Sequence, residues 1–253
     1  MRALLTNDDG ILAPGLGALR RQMLRDGWEV DVVAPDSEQS AVGHAITLRG
    51  PLTIQKVNEG GAFLGYAVAG TPADCVKLAL RCLLSEPPDV VISGINPGLN
   101  TGVAAFYSGT VGAAREAALS GAPAIAVSLA GPSHFDFSYA AEFTCRLAST
   151  VAERRLTEGT YLSVSIPGLP RGQIKGVVVA SQTRSRYREA FECEVGPDGG
   201  ESYWLAGDLE VLDDLEDSDH NAISRDMVAV VPLHCDMTDY KAVKLLRKWR
   251  LKP

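Results

Sequence analysis

Met1-Arg2-Ala3-Leu4-Leu5-Thr6-Asn7-Asp8-Asp9-Gly10 runs from an apolar start directly into two adjacent carboxylates. Residues 2–6 read as a short buried strand, and Asn7-Asp8-Asp9-Gly10 as the turn that ends it. Neighbouring carboxylates repel one another and resist burial, so something positive offsets them unless water does. A hard divalent cation held by oxygen ligands is the simplest such partner. A solvated turn is the other reading of the same four residues.

Outward from this stretch, short aliphatic runs recur at residues 30–34, 89–93 and 124–128. Between them, residues 15–26, 71–84, 110–120 and 137–154 have helix-compatible composition and spacing. Thr71-Pro72-Ala73-Asp74 is a helix start, with a cap, proline at the first position and an acid in the first turn. This alternation predicts an α/β fold, a parallel sheet with crossover helices. Past Gly159 the texture changes. Strands are expected near residues 161–166 and 175–180, and then a hairpin arm within residues 181–207. Tyr187, Phe191, Cys193 and Val195 share one parity, Gly196-Pro197-Asp198-Gly199-Gly200 turns, and Tyr203-Trp204-Leu205 returns. Aromatics on such an arm want a surface, either a second subunit or the main sheet. A last strand at 227–232 and a C-terminal helix at 239–251 complete one α/β domain over residues 1–253.

With 253 residues, 46% of them hydrophobic and 22% charged, the chain can bury a sizeable core. A net charge of −7 argues against polymeric nucleic acid as a partner, although a nucleotide neutralised by a metal stays compatible with it. Lys241, Lys244, Arg247, Lys248, Arg250 and Lys252 make the C-terminus basic. Seven acids from Asp208 to Asp219, including Asp213 and Asp214, give that tail an acidic complement within the same chain. The five cysteines form no Cys-x-x-Cys pair, so neither a zinc knuckle nor a disulfide framework is indicated, and buried thiols in a reducing cytoplasm are expected. No apolar run reaches membrane-spanning length.

In a parallel sheet the ligand crevice lies beyond the carboxyl ends of the strands. Three loops there are rich in small polar residues. The first carries Asn7, Asp8 and Asp9, the second (residues 34–44) offers Ser40 and His44, and the third (residues 93–102) presents the amides of Asn96 and Asn100. Together they make an oxygen-rich site suited to magnesium, manganese or calcium. Behind the third loop, Ser108-Gly109-Thr110-Val111 opens a helix, and exposed backbone N–H groups with the helix dipole make such a start an anion site. Other chemistries fail on spacing. No P-loop, Gly-x-Ser-x-Gly elbow or His-Glu-x-x-His helix occurs, and Arg20 stands where a dinucleotide fingerprint starting at Gly15 needs its third glycine. The carboxylates at 8 and 9 are adjacent, not spaced as Asp-x-Asp.

Thr6-Asn7-Asp8-Asp9-Gly10-Ile11, Ala34-Pro35-Asp36 with Gln39-Ser40, Gly70-Thr71-Pro72-Ala73-Asp74-Cys75-Val76, Ser93-Gly94-Ile95-Asn96-Pro97-Gly98 and Ser108-Gly109-Thr110-Val111 stand in order along the chain. With Val231-Pro232-Leu233 and the region around Asp219, they resemble the SurE survival proteins, a family of metal-dependent nucleoside-monophosphate phosphatases. The stretches Asp217-Ser218-Asp219-His220 and Ile223-Ser224-Arg225-Asp226 are less typical of that pattern.

The resemblance implies a Rossmann-like core in which Asp8, Asp9, Ser40 and Asn96 bind one divalent cation, magnesium or manganese. It implies that the arm and the C-terminal segment, residues 233–253, exchange between subunits in a homodimer or homotetramer. The expected activity is hydrolysis of nucleoside 5′-monophosphates, with 3′-monophosphates and short polyphosphate allowed. Asn96, Ser108, Gly109 and Thr110 would hold the phosphate, one of Asp8 and Asp9 would serve as base, and His44 would protonate the leaving oxygen. His134, His220 and His234 lie away from the motif loops. Two readings of other classes remain open, a noncatalytic metal-dependent nucleotide sensor and an assembly protein whose arms matter most.

Overall fold

Leu4 and Leu5 alternate across the first strand, β1 (Arg2–Thr6), and each enters a different half of the core. The structure is a computed structural model that describes residues 1–131, 136–184, 186–210, 215–249 and 251. His134, Asp213, Asp214, Arg250 and Lys252, all singled out in the sequence, lie outside the described residues.

In chain order, α1 (Pro14–Arg25), β2 (Glu29–Pro35), β3 (Ile54–Glu59), β4 (Ala62–Val68), α2 (Pro72–Leu78), β5 (Val90–Pro97), α3 (Ala104–Tyr107), α4 (Gly109–Leu119), β6 (Ala124–Leu129), α5 (Ser138–Arg154) and β7 (Thr160–Ile166) build the first part. β8 (Gly176–Val179), the paired β9 (Arg186–Val195) and β10 (Glu201–Glu210), α6 (Asp219–Ser224), β11 (Met227–His234) and α7 (Tyr240–Leu246) follow. The main sheet has nine strands in the order β3-β4-β2-β1-β5-β6-β7-β11-β8, and β9 and β10 form a separate antiparallel ribbon. The expected α/β fold with a parallel core, crossover helices, hairpin arm and C-terminal helix is the one observed.

β1 pairs in parallel with β2 on one side and β5 on the other, so the order of strands reverses at β1. Strands that diverge there leave a crevice beyond their carboxyl ends, which is where such sheets bind ligands. One face of the sheet packs Leu5, Ile92, Ile125 and Val164 against Leu16, Leu19 and Met23 of α1 and Ala141 and Ala148 of α5. The other packs Leu4, Val33, Val91 and Ala126 against Cys75 and Val76 of α2 and the alanines of α4. α4 is built of small residues, Gly-Thr-Val-Gly-Ala-Ala-Arg-Glu-Ala-Ala-Leu, and so lies close on the loop that follows β2. A Cβ on Gly112 would stand 2.3 Å from the Gly43 carbonyl oxygen.

Three features depart from the expectation. Residues 54–68 form the β3-β4 hairpin at one sheet edge, which sequence alone did not indicate. The helix expected over 71–84 is α-helical only to Leu78 and widens into a π-turn over Ala79–Leu83. Of the five cysteines, all free thiols, Cys75 and Cys145 are buried while Cys82 and Cys193 are exposed.

Candidate active site

Asn7, Asp8 and Asp9 leave the end of β1 in a turn closed by Asn7 Nδ2 donating to the Gly10 carbonyl at 2.9 Å. Two backbone bonds tie that turn to the end of β2, Ile11 N–H to Pro35 O at 2.9 Å and Gln39 N–H to Asp8 O at 2.7 Å. The first two sequence-predicted loops are therefore one unit. The third reaches them through β5, whose register against β6 slips between Ser93 and Asn96. Gly94 sits at that slip with φ +131°, and a Cβ there would meet the Val127 carbonyl oxygen at 2.4 Å, so only glycine lets the strand bend toward the crevice.

Asp8 is buried, and both its oxygens accept from Thr110 at the start of α4. The Thr110 N–H donates to Oδ2 at 2.9 Å and the Thr110 hydroxyl to Oδ1. Burial pushes the Asp8 carboxyl above its ordinary range, while the Thr110 bonds act against that shift. Asp9 has no such donor. Burial, then the charge of Asp8, then that of Glu38, push it up to about 7. Its Oδ2 is buried without a hydrogen-bond partner, and so are Asn7 Oδ1, Thr6 Oγ1 and Ser93 Oγ. Thr6 and Ser93 are direct partners across β1 and β5, so these orphaned oxygens gather at the point where the strand order reverses.

Buried acceptors without donors are costly, and they call for a cation or ordered water. Ser40 is exposed, with its hydroxyl on Glu38 Oε1. Asn96 Nδ2 donates to Gly98 O at 2.7 Å, which leaves its amide oxygen for a ligand. Among the described residues no group of three or more His, Cys, Asp or Glu side chains is arranged to hold a metal ion. A cation here would rest on the carboxylate pair and neutral oxygens. That all-oxygen set, with open acceptors, fits a hard divalent ion.

The start of α4 lies against the same turn. Ser108 caps α4, its Oγ accepting from Val111 N at 3.1 Å, and Gly112 N–H reaches Ser108 O at 3.0 Å. Thr110 spends its amide and hydroxyl on Asp8, so among the described residues Gly109 keeps the one first-turn N–H of α4 without an acceptor. A Cβ on Gly109 would stand 2.9 Å from Asp8 Cβ and 3.0 Å from Asp8 Oδ2, so the Gly109 backbone lies close against Asp8. His44 sits further along α4, its Nε2 2.9 Å from Glu116 Oε2, and Lys77 Nζ is 2.7 Å from Glu116 Oε1. Glu116 anchors the His44 ring six residues beyond Thr110 on α4, about 9 Å along the helix axis. The His44 backbone lies against Gly112, two residues from Thr110, where a Cβ would stand 3.2 Å from His44 Cα.

Residues 3–189 match the family of the survival protein SurE. The chain belongs to the SurE family. The protein named 5′-nucleotidase SurE from Moorella thermoacetica is 49% identical over 241 residues, covering 95% of this chain and 92% of that one. The protein of the same name from Desulfatibacillum aliphaticivorans is 48% identical over 252 residues, covering 100% and 99%. The crystal structure of the SurE protein from Aquifex aeolicus superposes with a TM-score of 0.86 at 38% identity, over 99% of this chain and 100% of that one. Glu38, Glu116 and Lys77 join the neighbourhood of the site without a sequence signal of their own that marks them as part of it. Glu38 stands within the motif at residues 34–40, Lys77 directly follows the motif at residues 70–76, and Glu116 meets His44 only through a contact 72 positions apart. A cavity of about 810 Å³ lined by Gln22, Tyr139, Glu142, Arg146 and Arg171 lies between α1 and α5 and includes none of the SurE motif residues.

Proposed function

We propose that the chain is a metal-dependent phosphomonoesterase that hydrolyses nucleoside 5′-monophosphates to nucleoside and phosphate. The observation that supports this most is the set of orphaned oxygens at Asp9, Asn7, Thr6 and Ser93 beside the free amide of Gly109. A site that lacks positive charge at one end and offers an anion donor at the other is complementary to a cation with a phosphate. The names of the relatives agree with that reading.

Asp8, Asp9, Ser40 and Asn96 would hold the cation, magnesium or manganese. When bound, such an ion polarises a phosphoryl oxygen and acidifies water. The chain's own residues do the rest. Thr110 fixes the Asp8 carboxylate so that it does not rotate away. The Gly109 amide and the dipole of α4 bind the phosphoryl oxygens as negative charge shifts onto them. Water oxygen attacks phosphorus, its proton passes to Asp9, and the phosphorus–ester oxygen bond breaks. His44, with Nε2 held by Glu116, delivers a proton from Nδ1 to the departing oxygen.

These contacts read only the phosphoryl group, so 3′-monophosphates and short polyphosphate are secondary substrates. The arm and residues 233–253 carry self-association as a homodimer or homotetramer, and the free thiols suit a reducing cytoplasm. No described helix is long and apolar enough to cross a membrane.

The test is phosphate release from a panel of 5′- and 3′-nucleoside monophosphates with manganese or magnesium, with chelator, and with Asp9→Asn. Metal-dependent release lost in both controls is expected. Saturable nucleotide binding with no release from any of them would overturn the enzyme reading in favour of a sensor.

A further inference from the structure

Asp219 is a buried carboxylate far from the strand-end site in sequence, yet it holds the loop that carries Asn96. Its Oδ2 accepts from Gly102 N–H at 3.0 Å, and its Oδ1 from Thr183 N–H at 3.0 Å and His220 N–H at 2.8 Å. Gln182 grips the other side of the same residue, Nε2 donating to Gly102 O at 2.6 Å. Gly102 is itself buried.

Gln182 and Thr183 are the root of the arm. The strand that leaves them, β9, begins at Arg186, and the returning chain is stitched back at Ser181 N–H to Asp217 O and Asp219 N–H to Ser181 O, each 2.9 Å. The two roots of the arm are thus locked together, and the lock closes on Gly102. From Gly102 the bonds run both ways. Upstream, Asn100 Nδ2 reaches Ser128 Oγ at 2.9 Å and Gly98 N–H reaches Leu129 O at 2.9 Å, fixing the segment that presents Asn96. Downstream, Ala105 N–H reaches Gly102 O at 3.3 Å and Ser108 N–H reaches Ala104 O at 3.1 Å, which seats the cap of α4. Asn96 and Ser108 each lie six residues from Gly102, so this peptide is the midpoint of the segment that joins them.

We propose that Asp219, acting with Gln182 through Gly102, is a positioning residue for phosphoryl transfer, and that through it the root of the arm sets the geometry of the strand-end site. The proposal rests on the nucleotidase reading for its kinetic test, but its metal-binding test does not need turnover. A displacement of about 1 Å at reacting groups costs on the order of 100-fold in rate. An asparagine at 219 keeps the size but has one acceptor oxygen, so it cannot satisfy Gly102 together with Thr183 and His220.

The experiment compares full-length wild type, Asp219→Asn, Gln182→Ala and the double variant. It measures kcat and KM for a nucleoside 5′-monophosphate, Mn2+ affinity by calorimetry, and melting temperature. Expected are a fall in kcat of about 10- to 100-fold for Asp219→Asn, a smaller fall for Gln182→Ala, and a double variant no worse than the more severe single one, because both act through Gly102. Mn2+ affinity falls several-fold in the same order. Wild-type kcat and Mn2+ affinity per folded molecule in Asp219→Asn would defeat the proposal, as would losses that simply multiply and track the melting temperature. If Asp219→Asn does not fold, Gln182→Ala alone decides, and unchanged kcat and Mn2+ affinity in it count against the proposal. A wild type that releases no phosphate defeats the nucleotidase reading alone, since the Mn2+ comparison still tests Asp219. A wild type that neither releases phosphate nor binds Mn2+ defeats both.

Discussion

At the ends of β1 and β5 polar atoms are buried without partners, whereas on β9 and β10 large apolar side chains stand in solvent. Asp9 Oδ2, Asn7 Oδ1, Thr6 Oγ1 and Ser93 Oγ have no hydrogen-bond partner in the first region. In the second, Phe191 is 65% exposed, Tyr203 62%, Trp204 63% and Leu205 67%. The two regions break the ordinary rule of burial in opposite directions, and each names by its chemistry what would complete it. Unsatisfied acceptors want a cation or water, while an unburied apolar ribbon wants another surface. The same chain therefore carries one region short of positive charge and one short of a covering surface.

The largest expected effect breaks the first region. Asp9→Asn removes one of two repelling carboxylates and should lower phosphate release by about 100-fold or more. In chelator it should also raise stability, by about 1 kcal/mol, because active-site charge is held at the expense of folding. Turnover assays and thermal melts in chelator read both arms. A variant that keeps full activity, or that is less stable than wild type, would show that the carboxylate pair is an ordinary turn.

Next in size is Gly109→Ala. The added Cβ would stand 2.9 Å from Asp8 Cβ and 3.0 Å from Asp8 Oδ2, too close for either to stay in place. Turnover should drop about 10-fold or more as Asp8 and the Gly109 amide separate, with a stability cost of about 1–3 kcal/mol. Wild-type kinetics in a folded Gly109→Ala protein would mean that the close approach of α4 to Asp8 has no role in the chemistry.

Glu116 sharpens the comparison, since it is a buried carboxylate that does have its partners. Burial would raise it, but hydrogen bonds from His44 and Lys77 outweigh that and hold it below its ordinary value of 4.5. A carboxyl lowered in the folded state stabilises above its unfolded pKa, and that contribution is lost as pH falls through the folded one. Glu116→Gln should therefore cost about 1–3 kcal/mol at neutral pH. The gap between variant and wild type should begin to narrow as pH falls below the ordinary 4.5 and keep narrowing through the lower folded value, in melts taken across the range. A gap that stays constant down to pH 3 would remove Glu116 from the charged network.

The central strands were legible because each is a continuous aliphatic run closed by small polar residues, and Leu4-Leu5 needs no context to be read as buried. The candidate ligands at Asp8, Asp9 and Asn96 were legible for the same reason, since they follow such runs directly. The β3-β4 hairpin was not. Ile-Gln-Lys-Val-Asn-Glu is a polar and mostly exposed edge strand, so it lacks the apolar run on which the reading depends, and only Gly60-Gly61 marks its turn. Nor was the division of labour at α4. The sequence pattern makes Thr110 a phosphate donor, yet its amide and hydroxyl go to Asp8, across 102 positions of sequence. Long-range partners of this kind decide which of several plausible donors is left open, and no local pattern encodes them. Asp219 illustrates the same limit, because its region drew notice as a family feature while its grip on Gly102 spans 117 positions.

The smallest effect on the stability of a single chain belongs to the arm, and it tests the second region alone. Leu205 is paired with Phe191, and Tyr203 with Cys193, so Phe191, Cys193, Val195, Tyr203 and Leu205 share one face of the ribbon. Trp204 lies on the other face, its Nε1 donating to Glu194 Oε2 at 3.1 Å. A two-stranded ribbon has no core of its own, so this apolar face gains nothing from folding until something covers it. Replacing Phe191 and Leu205 together by serine should change the melting of the isolated chain by no more than about 0.5 kcal/mol. If the face meets a second copy, the molar mass measured by light scattering should fall to that of one 26.9 kDa chain. An unchanged oligomeric mass would place the subunit contact elsewhere. A large loss of stability in a chain that was monomeric from the start would mean that the arm folds back on its own sheet.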